Sequence, residues 1–214
     1  MEDNSNSLIA ALVDDLEPVR PLRRSEGGAL VAGAAVLTAL AVFGLNGLAG
    51  NVLDGTISPM FLLANGLLLV LGLAACASTI AMASPRVGAR HDGACWAMLT
   101  AGVFPAAAIA LLMMRYPDWP YLLDAAQGWH CFAEATLTSL LVAGALLFWL
   151  RRGAPVSPRT SGLYMGVGAT ALGSAVFGMS CPVDTIYHLG IWHALPVVLG
   201  GLAGRFLVPR LLRW

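Results

Sequence analysis

Residues Met60–Ala83 read MFLLANGLLLVLGLAACASTIAMA, with no charged residue or histidine among them. As a helix this run is about 36 Å long at 1.5 Å per residue, enough to cross a hydrocarbon core of about 30 Å. Only helices and closed barrels satisfy their backbone in lipid, and a barrel strand would alternate apolar with polar residues. This run does not alternate. Five others of similar character lie around it: Ala29–Ala49, Gly93–Met114, Phe132–Leu150, Ser161–Met179 and Tyr187–Val208. Between them stand turn and interface residues: Asn51 to Pro59, Ser84 to Arg86, Tyr116 to Pro120, Arg151 to Pro158, and Cys181-Pro182.

Composition points the same way. Of the 214 residues 58% are hydrophobic and 11% charged, against about 45–50% and 25% in soluble domains. The expected fold is an all-α integral membrane protein, a six-transmembrane-helix bundle over residues 28–214. Residues 1–27 precede it as a short cytoplasmic segment carrying an amphipathic helix.

The basic residues set the orientation. All twelve are arginines, and only Arg115 falls on the outer side if the N-terminus is inside. Eleven against one satisfies the positive-inside rule. Both termini are therefore expected in the cytoplasm. The bias to Arg, Ala and Gly suggests a GC-rich bacterial genome, which makes the inner membrane the expected location. The first run is too long for the apolar part of a signal peptide and reads as an uncleaved span.

The membrane part lacks midplane charge, which counts against a small-molecule exporter. Glu134 and Arg205 lie toward span ends, and Asn46 and Asn65 read as packing residues. Pro105 and Pro196 should kink their spans. Gly162/Gly166 and Gly200/Gly204 are small-xxx-small pairs that predict a tight crossing of the fifth and sixth helices. Trp119, Tyr121 and Trp129 form an aromatic belt at the outer interface.

The N-terminal segment offers a handle. Ser7 to Leu16 reads as a helix capped by Ser5, Asn6 or Ser7 and ended by Pro18. Leu8, Ile9, Leu12, Val13 and Leu16 share an arc of roughly 140°, with Asp14 and Asp15 opposite. Acidic residues there argue against a helix lying on an anionic membrane surface. Packing on the protein's own loops is one reading. The preferred one is a docking helix that offers its stripe to a groove on a soluble partner.

Four cysteines complete the inventory. Cys76 and Cys95 read as small hydrophobes in the second and third helices. Cys131 opens the fourth helix and Cys181 closes the fifth, which puts both at the outer face, where disulfides are permitted. Two readings stand: a structural disulfide, or free thiols that sense an oxidant or a soft metal. His130 and His188 are near enough in sequence to complete a metal site with Cys131 and Cys181. A haem-type redox protein using His130, His188 and His193 is a further alternative, although it lacks a C-x-x-C-H motif and a facing pair. No cofactor is established by these residues.

Several features together resemble one family: the Leu-rich acidic N-terminal helix, Leu16-Glu17-Pro18-Val19-Arg20-Pro21-Leu22, Cys131, Cys181-Pro182-Val183-Asp184, and Trp192-His193-Ala194-Leu195-Pro196. The chain resembles the NrsF-like negative regulators of sigma F, membrane anti-sigma factors paired with extracytoplasmic-function sigma factors. Ser180 stands where family members often carry a basic residue or histidine. The resemblance implies a stress-response regulator that is not an enzyme and makes no direct nucleic-acid contact. Its partners would be membrane lipid and a sigma factor. The expected partner-binding residues are Leu8, Ile9, Leu12, Val13, Asp15, Leu16, Pro18, Val19, Arg20, Pro21 and Leu22, with release on an outer-side signal.

Overall fold

A computed structural model describes residues 2–15, 21–85, 92–115, 118–123 and 125–212. Among these described residues ten α-helices run in the order α1 Glu2–Asp14, α2 Arg24–Asn46, α3 Gly50–Leu53, α4 Pro59–Met82, α5 Asp92–Met114, α6 Trp119–Leu123, α7 Ala125–Arg151, α8 Pro158–Gly178, α9 Ile186–His188 and α10 Leu195–Leu211. A π-helical turn, Leu189–His193, joins α9 to α10. No strand occurs among the described residues.

The quoted run emerges as α4, displaced by one residue at each end. Ser58 starts it by accepting a hydrogen bond from the Phe61 N–H (3.1 Å), with Pro59 in the first turn, where its missing donor costs nothing. Among the described residues five stretches are long and apolar enough to cross a membrane: α2, α4, α5, Trp119–Arg151 and Ile186–Leu211. The expected fifth span is helical as α8 but is not among those five. The reason is its position. Helix α8 packs against α4, α7 and α10, and it is buried without a break from Tyr164 to Ala175. A helix enclosed by others needs small residues rather than large apolar ones facing lipid.

Glycines let the neighbours of α8 come close. A Cβ at Gly162 would collide with the Gly204 carbonyl, and one at Gly166 with that of Gly200. This is the close crossing expected of the two glycine pairs. On other sides, a Cβ at Gly168 would lie 2.8 Å from Cys76 Sγ, and one at Gly173 2.8 Å from the Ser139 backbone nitrogen. Cys76 is buried as expected, whereas Cys95 is exposed on α5.

At one end of the bundle, α2, α4 and α7 are locked together. The Trp149 ring occupies the space in which a Gly27 side chain would sit, and its indole N–H donates to the Ile80 carbonyl (3.1 Å). That carbonyl lies in the last turn of α4, where helix acceptors lack partners. Arg152 pairs with Glu26 at 3.9 Å, and the Arg151 Nε–H donates to the Leu211 carbonyl at 3.1 Å. Leu22 packs against the same core. At the opposite end, the Ser180 hydroxyl donates to the Gly47 carbonyl (2.6 Å), and the Ala49 N–H to that of Met179 (3.0 Å).

Three local expectations are revised. Helix α1 begins at Glu2, so Ser5, Asn6 and Ser7 lie inside it rather than at its cap. It ends at Asp14, while Leu16, Pro18, Val19 and Arg20 lie outside the described residues. The last run is not a regular α-helix throughout. Pro196 has no N–H and clashes with the backbone one turn back, so the chain widens into the π-turn and restarts as α10 with Pro196 in its first turn.

Candidate functional site

Four side chains converge at the bundle end opposite Trp149: Cys131, Cys181, His188 and His193. All four are buried, and their candidate ligand atoms lie within 4.8 Å of one another. Each is positioned by a separate local device.

Cys131 sits near the start of α7, on the inward stripe Gly128, Cys131, Ala135, Ser139 and Val142. This three-and-four spacing is one face of a helix. Gly128 has no side chain because the Trp192 indole occupies that space, and Trp192 donates from Nε1 to the Leu123 carbonyl (2.9 Å). Cys181 lies beyond α8, held by its N–H to the Gly178 carbonyl (3.2 Å), and Pro182 prevents the helix from continuing. Thr185 caps the next turn by accepting from the His188 N–H at 3.3 Å.

The π-turn pairs the histidines. In a regular α-helix, residues five apart point about 140° away from each other. A π-turn bonds residue i to i+5 and brings them onto one side. His188 and His193 accordingly stand with ring centroids 5.5 Å apart, and His193 also stacks on Phe177 at 6.2 Å. Two imidazoles on one turn cannot take opposite faces of a porphyrin, so this pair does not fit axial haem ligation.

Cys131 and Cys181 place their sulfurs 3.6 Å apart, and both thiols are free. A disulfide needs about 2.05 Å, so the covalent clamp is not formed here. Cys181 Sγ is 3.5 Å from His188 Nε2. Gln127 Nε2 approaches Cys131 Sγ at 3.6 Å, one turn earlier on α7. His188 Nδ1 and both ring nitrogens of His193 are buried without a hydrogen-bond partner. Buried polar atoms seldom remain unpaired.

Of the four metal candidates read from the sequence, three meet here and one does not. His130 is exposed, because neighbours on a helix point about 100° apart and Cys131 faces inward. His193 takes its place. Its signal in the sequence was the pair of histidines five apart beside Pro196, which becomes legible only once a π-turn is considered. Among the described residues, no Asp, Glu or Arg is buried.

The proposed partner-binding residues lie far from this cluster in the chain. On α1, Ile9, Leu12 and Val13 are 58%, 59% and 58% exposed, and Asp14 and Asp15 are exposed too. Pro21 is exposed and Leu22 half-buried.

An exposed helix precedes an apolar helical bundle that holds a ligand-rich cluster inside one end. The family profile described as negative regulator of sigma F, NrsF, matches residues 12–214. The chain belongs to this family and is an anti-sigma factor. It is 30% identical over 220 residues to the anti-sigma-F factor NrsF of Caulobacter vibrioides (strain NA1000 / CB15N), covering 98% of this chain and 99% of that protein. It is 24% identical over 156 residues to the probable anti-sigma-F factor NrsF of Azospira oryzae (strain ATCC BAA-33 / DSM 13638 / PS), covering 73% of each. No solved structure matches it.

Proposed function

We propose that this chain is a six-span protein of the bacterial inner membrane, with both termini cytoplasmic, that sequesters an extracytoplasmic-function sigma factor through residues 1–27. A signal on the outer side, sensed at Cys131 and Cys181, releases the sigma factor. Helix α8 counts as the sixth span because its neighbours shield it from lipid. The orientation is supported by the distribution of charge: among the described residues every arginine but Arg115 lies at or toward the bundle end that holds Trp149.

The observation that carries the docking reading is the exposed stripe on α1 in a chain of the anti-sigma family. Fully burying a Val, Leu or Ile contributes about 1.5–3 kcal/mol. With some three-fifths of Leu12 still exposed, a partner that covers it gains about 1–2 kcal/mol, or roughly 5- to 30-fold in affinity. Helix α7 supports the coupling, since it carries Cys131 near one end and Trp149 at the other, with Arg152 in the turn that follows. There Trp149 and Arg152 meet Gly27 and Glu26, at the C-terminal end of the docking segment.

The test replaces Ile9 and Leu12 together by Asp in the full-length chain. Sigma-factor capture on purified membranes should fall at least 20-fold, and sigma-dependent transcripts should rise without any inducer. Unchanged capture and transcripts, with normal abundance in the membrane, would overturn the reading.

A further inference from the structure

We infer that Cys131, Cys181, His188 and His193 form a tetrahedral site for one divalent zinc ion. The site's regulatory meaning rests on the sensing reading above; the binding of metal does not, and the two are tested apart.

The distances carry the inference. In a tetrahedral zinc site with Zn–S of about 2.3 Å and Zn–N of about 2.0–2.1 Å, the two sulfurs stand about 3.8 Å apart and sulfur stands about 3.6 Å from nitrogen. Here the sulfurs are 3.6 Å apart and Cys181 Sγ is 3.5 Å from His188 Nε2. Two ligand edges are already set for an ion at the centre, and the remaining atoms lie within 4.8 Å. The same sulfur spacing is far too long for a disulfide.

The orphaned nitrogens are a second, independent observation. His193 is buried with neither ring nitrogen bonded. A neutral imidazole always presents one acceptor nitrogen, and in each ring a metal would use it. Phe177, stacked on His193, holds that ring in place.

Charge selects the ion. Binding Zn²⁺ releases two protons, one from each thiol, and leaves two thiolates, two neutral imidazoles and a dication. The assembled site has zero net charge, which suits a pocket walled by Val42, Ala135 and Phe177. Two sulfurs and two nitrogens in a tetrahedral arrangement favour zinc over the oxygen-loving magnesium and calcium. Four protein ligands leave no open position, so this is a closed site that fastens α7, the segment after α8, α9 and the π-turn to one another.

The experiment uses the full-length chain purified in detergent under reducing conditions, stripped with chelator and titrated with Co²⁺ and then Zn²⁺. Expected are one Co²⁺ per chain, visible tetrahedral absorption with thiolate charge-transfer bands, and displacement by Zn²⁺. His193→Gln should weaken binding at least 100-fold, while His193→Cys should restore it with stronger charge-transfer absorption, which separates ligand loss from misfolding. His130→Gln should bind as wild type. Less than 0.2 Co²⁺ per wild-type chain, or equal binding after His188→Gln and His193→Gln together, would overturn the site. Isolation of wild type as a Cys131–Cys181 disulfide that takes no metal after reduction would overturn it too. Sigma-factor capture lost with metal binding intact would refute the docking reading and leave this one standing.

Discussion

Replacing Trp149 by Ala should loosen the end of the bundle that leads into the docking segment. The indole is 1% exposed and lies between α2, α4 and α7, where a Cβ on Gly27 would come within 2.6 Å of it. In the six-span reading proposed above, both folded and unfolded states of the helix face lipid, so the loss comes mainly from packing rather than from transfer to water. Truncation opens a void of roughly 140 Å³, which at about 24 cal/mol per Å³ costs about 3 kcal/mol where the walls do not collapse. Losing the bond to the Ile80 carbonyl adds about 1 kcal/mol. Trp149→Phe keeps most of the ring volume and should cost about 1–2 kcal/mol. The assay is reversible unfolding in mixed micelles, titrated with a denaturing detergent and followed by tryptophan fluorescence and helicity. Cobalt binding at the opposite end should be unchanged in the same variants. An Ala variant within about 0.5 kcal/mol of wild type, the range of a neutral surface change, would refute the claim that this ring holds the three helices together.

Four further outcomes follow from the packing and the site. Gly166→Val would drive a branched side chain into the Gly200 carbonyl and should destabilise the bundle by about 1–3 kcal/mol in the same assay. Gly44→Val, which meets nothing within 4 Å, should differ by less than about 0.5 kcal/mol. Cys131→Ser and Cys181→Ser, singly and together, should abolish induction by thiol-reactive stress while leaving basal repression intact, measured on sigma-dependent transcripts. A fall in protein abundance in all three variants would instead assign the thiols a purely structural role. Gly128→Val should displace the Trp192 indole and with it the π-turn, weakening Co²⁺ binding at least tenfold although Gly128 supplies no ligand.

The helical, membrane-type character of this chain was legible in its sequence because both depend on local quantities. The length of an apolar run and the charges beside it need no tertiary contact to be read, and Met60–Ala83 became α4 almost residue for residue. The close α8–α10 crossing was legible for the same reason, since glycines four apart lie on one helix face whatever the neighbour. Cys131 and Cys181 could be brought to one end of the bundle because antiparallel neighbours equalise depth. What only the tertiary structure decided is which helix is enclosed and which histidines enter the cluster. Helix α8 falls short of the others in apolarity because it is enclosed by other helices, and that identity belongs to the packing. His130 adjoins Cys131 in sequence yet points away from it, while His193 lies 62 positions along the chain and meets it. Sequence distance is measured along the chain, but ligand distance is set by helix phase, and a single π-turn shifts that phase enough to exchange one histidine for the other.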